Sequence, residues 1–352
     1  MLYNAVQFGE PRYVLSIDDE RTLYVQQFDL NRLELAGDRA PIARHVGSAE
    51  GYGSLSVASN GTLVYTSPDF GKNRGDLRWR DRKGRVVGEI GSVNYSFGMS
   101  RDGKLVAFNQ GGMQLANTIG GRPARVGNEP IEHEPVFSPD GRFVVYTRFG
   151  ESGIELIQRT VGSEDERSLD MPPVGECYVC DWSPDGNTLL ISIANSALGG
   201  TLDIWAYSVE NESAEPIVAS DANERSGVLS PDGGTLAYAS DESGSYNIYV
   251  RPFTGSGVAS RVSSEGGLYP EWRQDGKELY YMRPDGTIVA VAVTAESGFG
   301  EPTELFRVAV PPTEIYDLFD VTPDGERFLV LEQTAPPRPL ILVQNWPALS
   351  EH

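Results

Sequence analysis

Phe137–Ser138–Pro139–Asp140–Gly141 returns through the chain as Trp182–Ser183–Pro184–Asp185–Gly186, Leu229–Ser230–Pro231–Asp232–Gly233 and Val321–Thr322–Pro323–Asp324–Gly325. Looser copies run from Val57 to Gly61, Met99 to Gly103 and Trp272 to Gly276, so seven segments place an apolar residue four before a glycine. The local physics is that of a tight hairpin. Proline presets φ at the first corner of a β-turn, Asp or Asn suits the second, and glycine accepts the positive φ that closes it. An apolar, β-rich run follows each turn, as in Phe143–Tyr146, Leu189–Ile191 and Phe328–Leu331. Each motif therefore reads as the first hairpin of a repeated β unit.

The seven glycines (61, 103, 141, 186, 233, 276 and 325) are spaced by 42, 38, 45, 47, 43 and 49 residues. A period of about 40–50 residues with four short strands per period is the mark of a β-propeller. Third strands are legible as alternating or aromatic-rich runs such as Asp203–Tyr207, Asn247–Val250 and Ile288–Val293. Fourth strands are shorter and more polar, as suits an outer edge that must resist pairing with other chains. The expected architecture is all-β, a single propeller domain over 1–352 built from four-stranded antiparallel blades. Its repeats fall at approximately 1–52, 53–94, 95–132, 133–176, 177–223, 224–267, 268–315 and 316–352. Residues 1–52 hold a repeat without the Pro-Asp-Gly turn, and the last repeat lacks a fourth strand after Leu340–Trp346. The N-terminal segment is then expected to complete the final blade and close a ring of eight, with seven blades as the alternative.

Composition narrows the function. The 352 residues carry a net charge of −21, which argues against nucleic acid and against docking on anionic membranes. Residues 1–20 contain Glu10, Arg12, Asp18, Asp19 and Glu20 and no apolar core of a signal peptide, and no apolar run approaches the length of a membrane span. The two cysteines, Cys177 and Cys180, sit on an expected strand. At about 3.3 Å per residue their Cα atoms lie roughly 10 Å apart, too far for a disulfide. They read as small buried hydrophobes. Asn60, Asn94 and Asn211 begin Asn-x-Ser/Thr triplets that carry no weight here.

The Ser-Pro-Asp-Gly hairpins resemble the TolB-type propeller repeat (PD40, WD40-like), found also in the propellers of prolyl oligopeptidase-like enzymes. The likeness is densest toward the C-terminus, in Ser240–Gly244, Ile248–Phe253, Glu271–Tyr281 and Leu342–Trp346, with Leu23–Leu30 and Leu33–Leu35 adding to it near the start. This combination is similar to the C-terminal sensor propeller of bacterial membrane-bound eukaryotic-like serine/threonine kinases. The resemblance covers essentially the whole chain and implies a propeller and an extracytoplasmic location. It is weak on activity, because propellers host many functions.

Catalytic constellations are hard to assemble. Asp69–Phe70–Gly71 spells a kinase magnesium motif, but no catalytic loop, phosphate loop or lysine-bearing strand accompanies it. No Gly-x-Ser-x-Gly elbow occurs, and His45, His133 and His352 are the only imidazoles available to a triad. Innermost strands and the loops before them would place Ser96, Glu132, His133, Glu134, Tyr178, Asp181, Asn223, Glu224, Tyr269, Glu271, Tyr316 and Asp317 at the channel mouth. This set is acidic and aromatic. A divalent cation such as calcium, which takes six to eight oxygens, is compatible with it. Pairing with arginines such as Arg225 and Arg273 is the structural alternative. No cofactor is expected.

The leading expectation is a non-catalytic, monomeric propeller that binds a protein, peptide or small ligand on its channel face, as a sensor or scaffold module of a bacterial signalling protein. A metal-dependent lactonase-like or lyase-like enzyme with its site in the channel, and a purely structural module, are the alternatives.

Overall fold

The computed structural model describes the chain except residues 1, 7–11, 19, 50–51, 54, 59–61, 67–73, 111, 121, 127–131, 151–152, 172–176, 196–199, 256, 295–297, 311–316, 334–340 and 345–352; for strand residues 2–6, 12, 48–49, 52–53, 74, 94–96, 132–134, 149–150 and 195 it describes the backbone alone. Among the described residues all regular structure is strand. The chain divides into two compact units, residues 1–72 with 335–352, and residues 73–334.

In the first unit β1 (Leu2–Val6), β2 (Arg12–Ile17), β3 (Leu23–Asp29) and β4 (Glu34–Ala43) form a four-stranded antiparallel sheet in chain order. A two-stranded hairpin joins β5 (Ser48–Ala49) to β6 (Tyr52–Gly53). A three-stranded sheet places β8 (Thr62–Tyr65) between β7 (Leu55–Val57) and the late strand β32 (Ile341–Gln344). Alternation along β2 and β3 sends Tyr13, Leu15, Ile17, Leu23 and Val25 into one core with Leu63 and Tyr65.

The second unit contains β9 (Arg74–Asp81), β10 (Val86–Met99), β11 (Leu105–Asn109), β12 (Met113–Asn117) and β13 (Ala124–Arg125). Four further sheets, each four-stranded and antiparallel in chain order, follow: β14–β17 (Glu132–Phe137, Phe143–Gly150, Gly153–Thr160, Glu166–Leu169), β18–β21 (Cys177–Trp182, Thr188–Asn195, Thr201–Ser208, Ser213–Val218), β22–β25 (Glu224–Leu229, Thr235–Ser240, Asn247–Pro252, Ser260–Arg261) and β26–β29 (Leu268–Trp272, Glu278–Met282, Thr287–Thr294, Gly298–Arg307). The hairpin of β30 (Phe319–Val321) and β31 (Arg327–Glu332) joins β9 through β13 in a seven-stranded sheet. That sheet divides at a register shift between Asn94 and Phe97 of β10. One side is β30-β31-β9 and the first half of β10; the other is the second half of β10 with β11, β12 and β13. The second unit thus holds six four-stranded groups, the arrangement of a propeller.

Strand pairing departs from the eight repeats expected from spacing. β8 was expected to share a blade with the run Leu77–Trp79, yet β9 pairs with β31. The final hairpin is completed by residues 74–93, not by residues 1–52, and β32 pairs with β8 instead of extending the last blade. The reason lies in the strands themselves. Phe328, Leu329, Val330 and Leu331 are all fully buried and need apolar cover on both faces, which Leu77 and Trp79 of β9 help to supply. Arg80 of β9 adds a paired contact to Glu332 of β31, with Nε–Oε1 at 2.5 Å and Nη2–Oε2 at 2.8 Å.

The hairpin physics holds in each described copy. Gly103, Gly141, Gly186, Gly233, Gly276 and Gly325 take φ between 69° and 79° and donate their N–H to the carbonyl three residues back. The serine has a further role. Ser138, Ser183 and Ser230 Oγ donate to the turn aspartate at 2.7, 2.6 and 2.5 Å and accept the N–H five residues on at 2.9 Å. Thr322 repeats this geometry toward Asp324 and the Arg327 amide.

Candidate functional site

Each of β10, β14, β18, β22 and β26 carries a register shift near its middle, between 94 and 97, 133 and 136, 179 and 181, 225 and 228, and 268 and 271. A bulge re-aims the side chains beyond it. Ser226 and Tyr269 sit at two of these bulges with φ of 50° and 56°. Past the bulges the innermost strands of all six groups converge on one cavity of about 140 Å³.

The residue five before each turn glycine is decisive in that cavity. It is Gly98, Val136, Asp181, Val228, Glu271 or Asp320 in the six groups, and all six line the wall. Asp181 Oδ1 accepts the N–H of Trp182 at 2.7 Å and its Oδ2 accepts that of Leu229, on the neighbouring inner strand, at 2.8 Å. Asp320 does the same with Val321 at 2.7 Å and Met99 at 2.9 Å. Both aspartates are staples between adjacent four-stranded groups. Glu271 makes no hydrogen bond to a described residue.

Asp317 completes the acidic set and accepts from Ser226 Oγ at 3.1 Å. Burial pushes the Asp181 and Asp317 carboxyls up to about 6. Burial, reinforced by Asp317 and Asp181, pushes Asp320 up to about 7. Burial and then the charges of Asp320, Asp317 and Asp181 hold Glu271 well above the usual carboxylate range. Arg101 supplies opposing charge beside Asp181, with its Nη2 donating to the Trp182 carbonyl at 3.3 Å. Phe97, Phe137, Trp182, Trp272 and Phe319 make the remaining wall strongly aromatic.

A recess of about 20 Å³ shares Val179, Cys180 and Asp317 with this cavity and adds Tyr178, Ser192, Leu202, Arg225 and Ser226. Arg225 is 6% exposed and lies over the Tyr246 ring at 5.3 Å. Cys177 is buried and Cys180 half-buried.

Of the residues expected at the channel, the structure brings Asp181, Glu271 and Asp317 together in the cavity and Tyr178 into the recess. Asn223 is a strut instead: its amide and backbone N–H bind the Asp241 carboxylate, and its oxygen accepts from Leu202. Glu224 is buried against Ser220 Oγ, with Asp203 and Glu242 nearby, and burial raises its carboxyl. Tyr269 is part of the hydrophobic core. Ser96 lies on β10 and Glu132, His133 and Glu134 on β14, with backbone alone described, and Tyr316 lies outside the described residues, as does Asp69–Phe70–Gly71. Asp320, Arg101 and the aromatic wall were missed by sequence reasoning. Asp320 had a signal available, since it occupies the same place before its turn glycine as Asp181 and Glu271. Among the described residues no three His, Cys, Asp or Glu side chains are grouped to hold a metal ion.

Residues 113–302 match the TolB beta propeller domain, PD40. The chain belongs to that family. An uncharacterized protein of Agrobacterium fabrum is 24% identical over 208 residues, which cover 54% of this chain and 70% of that one. The Tol-Pal system protein TolB of Anaeromyxobacter dehalogenans is 30% identical over 108 residues, covering 30% of this chain and only 22% of the relative's length. Among solved structures, one from Agrobacterium tumefaciens named for TolB superposes with a TM-score of 0.62 at 18% identity, over 75% of this chain and 99% of that one, a likeness in fold.

Proposed function

We propose that this TolB-like propeller is a non-catalytic recognition module that binds a protein or peptide partner at the cavity where the six inner strands converge. That convergence carries the reading. Rigid sheets hold carboxylates and aromatic rings around one opening, where a partner's basic or polar group would meet charge and a flat apolar surface together. The Anaeromyxobacter relative is named as a protein of the Tol-Pal system, which supports a protein partner. A role as the sensor or scaffold part of a bacterial signalling protein, acting as a monomer, is the finer form of the proposal.

The test is capture from bacterial envelope and cytosolic extracts on the immobilised chain, alongside Glu271→Gln and Asp317→Asn variants. A partner held by the parent and released by both variants supports the channel site. A partner held equally by all three moves recognition to the rim or sides, and the absence of any specific partner counts against a binding module.

A further inference from the structure

Arg225 stands out among the buried charges of this protein. The residue is only 6% exposed, yet no described residue accepts a hydrogen bond from its guanidinium; what answers it is the face of Tyr246 at 5.3 Å and, through charge, the Asp317 carboxyl. Asp317, the acid in the same recess, accepts a hydrogen bond from Ser226 Oγ and feels the Arg225 charge without making a direct ion pair with it. Arginine stays charged in proteins, and a buried charge answered only by a ring face and a carboxylate at a distance is costly. The bulge at Ser226, with its positive φ, holds this group against the recess.

The recess opens beside walls of opposite character. Asp317 lines both spaces, and Glu271, Asp181 and Asp320 stand in the larger one. A simple anion that reached Arg225 would meet these carboxylates, and a simple cation would leave Arg225 unanswered. We propose that the cavity binds a small zwitterion of the α-amino-acid class. Its carboxylate pairs with Arg225, its ammonium group faces Asp317 and Glu271, and its side chain lies against the aromatic wall. A planar carboxylate matches the guanidinium fork, and the small recess admits one carboxylate oxygen more readily than a tetrahedral phosphate. The inference deepens the channel-site reading, and its test uses no protein partner, so the two can fail separately.

The experiment is titration calorimetry of the intact chain at pH 7.5 with L-alanine, L-valine and L-phenylalanine, and with propionate and ethylamine as half-ligands. The expected result is saturable binding of at least one amino acid, with each half-ligand weaker by tenfold or more. Arg225→Met is expected to weaken the amino acid at least tenfold, and Arg225→Lys less. Binding is also expected to weaken as the pH falls from 7.5 to 5 and the carboxylates take up protons. No amino-acid binding up to 50 mM would overturn the proposal. So would propionate or ethylamine binding as tightly as the amino acids, or an affinity unchanged in a folded Arg225→Met chain. The half-ligand comparison needs no variant and stands even if that variant fails to fold.

Discussion

Replacing Asp181 by Asn separates the two things this residue does. The carboxylate accepts two backbone N–H groups, from Trp182 and Leu229, and asparagine can accept only one of them through its single oxygen. Leaving one buried donor unmet costs about 1–3 kcal/mol. Against this, burial raises the Asp181 carboxyl from its ordinary 3.8 to about 6. A group raised in the folded state contributes stability that is fully present below its unfolded value and lost as the pH climbs through its folded one. A displacement of about two units is worth roughly 3 kcal/mol, about half of it lost between pH 5 and 8, and solvent in the cavity makes these upper figures.

Thermal melts of the parent and Asp181→Asn should therefore converge with pH. The variant is expected to melt clearly lower at pH 5 and to close the gap by about 3–6 °C at pH 8, at roughly 2–4 °C per kcal/mol for a unit of this size. Asp140→Asn is the control of opposite sign. Ser138 Oγ and the Arg142 amide hold that carboxyl below its usual range, so its contribution is present above the unfolded value and lost on acidification. Its deficit should grow between pH 3 and 5. Curves for Asp181→Asn that run parallel to the parent from pH 5 to 8 would refute the reasoning.

Glu271→Gln should raise the melting temperature at pH 8, with the gain shrinking toward pH 5, because it removes a buried carboxylate that three neighbouring acids oppose; a lower melt at pH 8 contradicts this. Ser230→Ala removes the donor to Asp232 and the acceptor of the Thr235 amide, and denaturant unfolding should show a loss of about 1–2 kcal/mol. Gly98→Ala would place a Cβ 2.0 Å from the Pro135 carbonyl oxygen of the neighbouring inner strand, and a loss of about 2–3 kcal/mol or more is expected in the same assay. EDTA and added calcium should leave the melt unchanged, since the described acids are tied to amides or lack the grouping a metal needs; a shift of several degrees with either reagent says otherwise.

The hairpins were legible because everything that makes them is local. Proline, aspartate, glycine and the preceding serine act within six residues, and sequence shows all of them. The exchange of partners between β9 and β31 was not legible. Arg80 and Glu332 lie 252 positions apart, and no short-range pattern says whether Leu77–Trp79 continues the hairpin before it or closes a sheet begun at the other end. Third strands in different groups look alike, so counting hairpins counted β7–β8 as a blade when its partner is β32. The candidate site was half legible for a related reason. Reading loops before the inner strands selected Asn223 and Glu224, which brace the frame, whereas the bulge turns the residue five before the glycine toward the cavity.

That position carries the most information about what the cavity is for. At Asp181 and Asp320 an acid fits a structural need, since two backbone donors on adjacent inner strands converge on each carboxylate. The same need does not exist at Glu271. Val321, the corresponding residue on the next inner strand, already donates its N–H to Asp320. Glu271 is therefore an acid that carries a desolvation cost and no bond to a described residue, at a position where three of the other groups manage with glycine or valine. A residue that destabilises its own fold and supports no neighbour is best explained by something it receives. Arg225, buried with no hydrogen-bond acceptor among the described residues and only the charge of Asp317 across the shared wall, poses the same question with the opposite charge. One ligand bearing both charges answers the two together, which neither a metal ion nor a simple anion does.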